Sequence, residues 1–159
     1  MKTIRPSKDW RELLNKKGFT RNYPHKNKDL EKLKQKLLRI AGWAVVLPEK
    51  EHDINEYFSR GKKLNGKSTL RLGKPCQCHH NSSLLWLKSK EKIKICTGYA
   101  LSKDGVWRVH TWGIENNKII ETTEKRILYY GYVLSRIESA FFCQVNGVNL
   151  ASESEIAKA

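Results

Sequence analysis

Three residue types that together perform nucleophilic chemistry occur in order along the chain: Cys78, His110 and Glu121. Cys78 stands in Pro75-Cys76-Gln77-Cys78-His79-His80-Asn81, where a loop gives way to a helical stretch. His110 lies in the strand-like run Val106-Trp107-Arg108-Val109-His110-Thr111-Trp112, and Glu121 in the next, Ile119-Ile120-Glu121-Thr122-Thr123. A thiol attacks well only as a thiolate, and a helix N-terminus or a neighbouring imidazole lowers its pKa. An imidazole that takes the thiol proton is held in place by a carboxylate on its other nitrogen. The chemistry these residues support is attack on an acyl or amide carbonyl, with Cys78 as nucleophile, His110 as base and Glu121 as orienter. The backbone N–H groups of Cys78 and His79 are the candidate oxyanion donors.

The elements that must position these groups follow from periodicity and turn signals. Leu30, Leu33, Leu37 and Ile40 recur at helical spacing over 29–42, with lysines and Arg39 on a solvated face and Gly42 as the stop. Before it, residues 1–28 are polar and basic, with Trp10, Leu13 and Leu14 as weak helical anchors and a loop over 20–28. Asp53 and Glu56 form a capping-box pattern for a short helix over 54–60. A basic Gly/Lys/Ser loop runs from Gly61 to Pro75, and the nucleophile helix occupies 79–90. Ile93, Ile95, Thr97, Tyr99 and Leu101 alternate as a strand, and Asp104-Gly105 turns the chain into a return strand over 106–115. Asn116-Asn117 is a second tight turn, followed by strands over 118–123 and 127–134 and a closing helix capped by Ser135 and Glu138. The tail 151–159 is polar.

If Asn116 and Asn117 are the two turn residues, Glu115 pairs with Lys118, Trp112 faces Glu121, and His110 and Glu121 are diagonal neighbours on one face. Glu115 points the other way. Val106, Trp112 and Ile114 share the His110 face and are expected to pack against the Cys78 helix, bringing thiol and imidazole together. Arg108, on the same face, is a candidate for binding an acidic substrate group.

Cys76-x-Cys78-x-x-Asn81 leading into a helix, a strand histidine at 110 and Ile119-Ile120-Glu121-x-Thr123 resemble the protein N-terminal glutamine amidohydrolases. The resemblance covers Cys76 to Thr123, and Glu121 stands where that family has aspartate. It implies an α+β fold with a papain-like, transglutaminase-like core: N-terminal helices and a nucleophile helix packed on an antiparallel sheet. It also implies Cys78 as nucleophile, His110 as base and Glu121 as third member, with Asn81 three residues after the nucleophile; His79 through its N–H and Trp112 as a packing residue that shields the site from water complete the groups expected around oxyanion and substrate. No cofactor is expected.

Rival readings use the same residues. Cys76 is an alternative nucleophile. Cys76, Cys78, His79 and His80 crowd four zinc-ligand types into five positions, but no second pair is spaced as in a zinc finger. Gly61-Lys62-Lys63-Leu64-Asn65-Gly66-Lys67-Ser68 matches the phosphate-loop pattern, which requires a buried strand before it and a helix after it.

The whole chain of 159 residues is read as one domain, with a basic helical part over 1–60 and a catalytic core over 76–134. At 39% hydrophobic and 30% charged it is globular with a heavily charged surface. A formal net charge of +15 favours anionic partners, either an acidic protein or peptide substrate or a nucleic acid held by the basic surface. A basic binding protein without catalysis is therefore the alternative to the enzyme. No apolar run has the length of a membrane span, and Met1-Lys2-Thr3-Ile4-Arg5 lacks a signal-peptide core. Free thiols in a cytoplasmic protein are expected for the four cysteines, with export as an effector left open.

Overall fold

The computed structural model describes residues 7–65 and 67–147; the polar tail and Gly66 of the phosphate-loop pattern lie outside them. The chain is mixed α+β, with five helices and seven strands among the described residues. It divides into two compact units, one built from 7–65, 98–109 and 126–132, the other from 67–97, 110–125 and 133–147. The interval 76–134 thus contributes to both.

The first unit opens with α1 (Lys8–Lys16), started by the Ser7 hydroxyl accepting from Trp10 N–H. Leu14 is its buried anchor, packed with Ala44 and Val106, whereas Trp10 and Leu13 stay largely exposed. α2 (Lys28–Ile40) begins on Asn27, whose side chain accepts from the N–H groups of Asp29 and Leu30. Its buried stripe is Leu30, Leu33, Lys34, Leu37 and Leu38. Lys34 corrects the expectation that every lysine here faces solvent. It falls between Leu33 and Leu37 in the stripe, fully buried, and its ammonium reaches Glu31 at 2.7 Å, Tyr23 O at 2.6 Å and Gly18 O at 3.0 Å. A buried cation is tolerated only with such a set of acceptors. Gly42 follows the helix at φ +79, a conformation that favours glycine.

β1 (Ala44–Val45) runs parallel to the start of β5 (Val106–Glu115). Two indoles secure this junction: Trp43 Nε1 donates to Asp104 O at 2.9 Å and Trp107 Nε1 to Ala41 O at 2.8 Å. α3 (Ile54–Ser59) forms where expected, but the Asp53 side chain makes no cap bond, and Glu56 pairs instead with Arg60 at 2.9 Å. The expected loop over 61–75 contains two short strands, β2 (Lys62–Leu64) and β3 (Ser68–Leu70). β2 pairs antiparallel with β7 (Leu128–Val133), and β7 neighbours β4 (Lys94–Leu101). The phosphate-loop reading fails here, because α3 precedes the segment and a strand follows it. Arg108 is bound within this unit to Asp104, at 2.7 and 3.0 Å, and so is not a free anion receptor.

In the second unit the strand order is β4-β5-β6-β3, with β6 spanning Lys118–Glu121. The β5–β6 hairpin has the expected register: Glu115 opposite Lys118, Ile114 opposite Ile119, Gly113 opposite Ile120. Asn116 and Asn117 both adopt positive φ, 50° and 60°, the geometry of a two-residue turn whose twist matches the strands. β3 lies parallel to β6, Leu70 in register with Glu121. Although apolar residues alternate along β4, both its faces are covered: Ile95 to Leu101 are all buried. α4 (Cys78–Lys88) packs on α5 (Arg136–Val145), which opens on a full Ser135–Glu138 capping box. Among the described residues no helix is long and apolar enough to cross a membrane.

Candidate active site

The site is built within the second unit, from one hairpin and one helix. His110 and Glu121 meet as diagonal neighbours: His110 Nε2 lies 2.9 and 3.0 Å from the two Glu121 carboxylate oxygens. Diagonal positions are about 7–8 Å apart at their Cα atoms, so the extra methylene of glutamate over aspartate helps to span the gap. Glu121 is fully buried. Its Oε1 also accepts from Thr122 N–H at 2.9 Å, Thr123 N–H at 3.1 Å and the Thr123 hydroxyl at 3.2 Å. These donors favour the ionised carboxylate and fix its direction. Thr123 is therefore the clamp on the orienting group, which gives the Glu-x-Thr spacing a physical meaning.

The same clamp ends β6. From Glu115 and Gly113, the ladder's alternation makes Thr111 the next β5 residue whose N–H faces β6. Beyond Glu121 the strand stops, and the Thr122 and Thr123 N–H groups turn to the carboxylate. The Thr111 N–H left over is directed at Cys78, as is the N–H of His79. Neither donor is visible as a residue type, because both are main chain.

Cys78 is the first residue of α4, and its thiol hydrogen-bonds the His110 ring, whose Nε2 is already held by Glu121. The expected packing is corrected here. Leu85 of α4 lies over Gly113, beside Ile120, on the hairpin face opposite His110 and Glu121. The thiol reaches the imidazole where β6 has ended, and not through Val106, Trp112 and Ile114. Burial pushes the Cys78 thiol up, but the hydrogen bond and charge of His110, with the Thr111 and His79 N–H groups, outweigh it and hold the thiol below its ordinary value. Burial pushes His110 down, yet its bonds to Cys78 and Glu121 and their negative charges hold it above the ordinary imidazole value. Both shifts favour a thiolate–imidazolium pair.

Around this pair, Trp112 stacks on His110 with ring centroids 6.2 Å apart and has no exposed surface, so it walls the imidazole. Asn81 is held elsewhere: its amide accepts from Lys74 N–H at 3.1 Å and donates to Lys74 O at 2.8 Å. It anchors the loop entering α4. His79 packs edge-on against Phe142, and burial first, then the positive charge of His110, keeps it below the usual imidazole range. His80 Nδ1 lies 3.1 Å from Asn146 O. Cys78, His79 and His80 therefore point to separate partners, and among the described residues no group of three His, Cys, Asp or Glu is placed to hold a metal. Cys76 is exposed at φ +58, and the ring of His110 is shared with Cys78 instead. The first N–H to close a helical bond is that of Asn81, to Gln77 O at 2.8 Å, so the earlier ones have no main-chain acceptor among the described residues. The arrangement can supply a nucleophile, a proton donor and acceptor, and N–H groups for a developing anion. The chain matches no family model, no curated protein and no solved structure.

Proposed function

We propose that the chain is a cysteine-nucleophile hydrolase of amide bonds, with a papain-like core. The observation that carries this is a single buried imidazole bonded to Glu121 through Nε2 and also to the Cys78 thiol. The Cys78 thiolate adds to the amide carbonyl, and the resulting oxyanion lies against the first-turn N–H groups of α4 that the thiol does not hold. The C–N bond breaks as His110 gives its proton to the departing nitrogen. Water then adds to the thioester, returning a proton to His110; the acid leaves and the thiolate is restored. Glu121 keeps the imidazole in register through both steps. The bond cleaved is a side-chain amide or a peptide bond, and the +15 charge favours an acidic protein or peptide as substrate.

The test is iodoacetamide labelling of wild type across pH, read peptide by peptide in a mass spectrometer. With the thiol pKa depressed, the labelling limb of Cys78 is expected at lower pH than that of a model thiol. A Cys78 limb coinciding with an ordinary thiol would sink the reading. An amide-substrate screen with Cys78→Ser as the control follows.

A further inference from the structure

We infer that the open edge of β3, from Ser68 to Leu72, is the docking strand for an extended peptide substrate. This rests on the reading of Cys78 as nucleophile. β3 ends the strand order, its one strand neighbour among the described residues being β6. Arg71 N–H bonds Glu121 O and Gly73 N–H bonds Thr122 O, each at 2.9 Å, so the alternate residues Leu70 and Leu72 turn their main-chain groups outward. Outward N–H and C=O groups are a template for an added strand.

The side chains say what that strand carries. Leu70 is in register with Glu121, so it lies on the hairpin face that holds the His110–Glu121 pair. Arg71 takes the other face and pairs with Glu115 at 3.1 Å. Leu72, two residues beyond Leu70, returns to the catalytic face. Leu70 is 41% and Leu72 69% exposed, two leucines on an edge that proteins commonly guard with charge. From Lys67 to Gln77 there is no acidic residue, and Lys67 and Lys74 stand exposed at the two ends. The ledge thus fits a peptide with apolar side chains over Leu70 and Leu72 and an acidic residue beside Lys74.

Its link to the nucleophile is stiff. A side chain at Gly73 would strike Asn81, and Asn81 grips both main-chain groups of Lys74. Asn81 itself sits in the first turn of α4, as Cys78 does. A peptide seated on β3 is therefore fixed with respect to the sulfur.

The probes are acetyl-Leu-Leu-Gly and acetyl-Gly-Gly-Gly chloromethyl ketones. The Cys78 thiolate displaces chloride from each to form a thioether. The leucyl probe is expected to alkylate Cys78 about tenfold faster or more, the scale of burying a leucine side chain. In the double variant Leu70→Ser, Leu72→Ser the two rates converge, and N-methylation of the probe's central peptide bond removes the advantage in wild type. Iodoacetamide, which needs no docking, reports thiol activation separately. An activated thiol with equal probe rates, or an advantage that survives the double variant, overturns the docking strand alone. A thiol that iodoacetamide finds ordinary overturns the nucleophile and the docking strand together.

Discussion

Replacing His110 with alanine is expected to move the pH limb for alkylation of Cys78 upward and to slow labelling at pH 6 by roughly tenfold or more. The imidazole supplies both the hydrogen bond and the charge that offset burial of the thiol. With the ring gone, burial stands against only two N–H groups. The thiolate fraction at pH 6 then falls, although the higher-pKa thiolate that remains is intrinsically more nucleophilic and restores part of the rate. Amide turnover is expected to fall further, by about 10²- to 10⁴-fold, because the leaving nitrogen also loses its proton donor. Peptide-resolved labelling of wild type and variant side by side checks the first effect. A limb that does not move would detach His110 from the thiol.

The largest stability loss is expected at Glu121. Alanine there leaves the Thr122 and Thr123 N–H groups without their acceptor and leaves His110 buried without its anion. Breaking a buried pair by removing one partner costs about 3–5 kcal/mol. Urea denaturation of Glu121→Ala, followed by tryptophan fluorescence, measures it. Glutamine keeps one carbonyl oxygen to accept from the threonine N–H groups, so Glu121→Gln is expected to lose much less stability. It removes the charge that raises His110, however, so its Cys78 labelling limb moves up as in His110→Ala. Equal stability losses for the two variants would mean that the cost lies in packing and not in the donors and charge around the carboxylate.

Much of the site was legible because its geometry is local. Two asparagines set the β5–β6 register, a strand's alternation places His110 and Glu121 on one face, and no distant part of the chain is needed. The Ser135–Glu138 cap was equally local. What escaped the sequence depends on partners far along the chain or on groups without side-chain identity. β1, β2 and β3 have two or three residues each, and their pairing to β5, β7 and β6 draws on positions dozens of residues away. Lys34 looks like any helical lysine until Gly18 and Tyr23 bring their carbonyls to it. The face on which α4 rests was misjudged because Gly113 carries no side chain to mark it, yet that absence is what makes room for Leu85. The Thr111 N–H became a thiol ligand only because a neighbouring strand stopped.

The Asn116-Asn117 turn is exposed, and exposed turns are usually where chains tolerate extra residues through evolution. Here the length of the turn helps to set the contact between His110 and Glu121. One residue more, if the turn stayed at two residues, would shift the pairing by one and send Glu121 to the opposite side of the hairpin from His110. Descendants of this chain are thus free to change the letters at 116 and 117 among residues that accept positive φ, provided the pairing of Glu115 with Lys118 is kept.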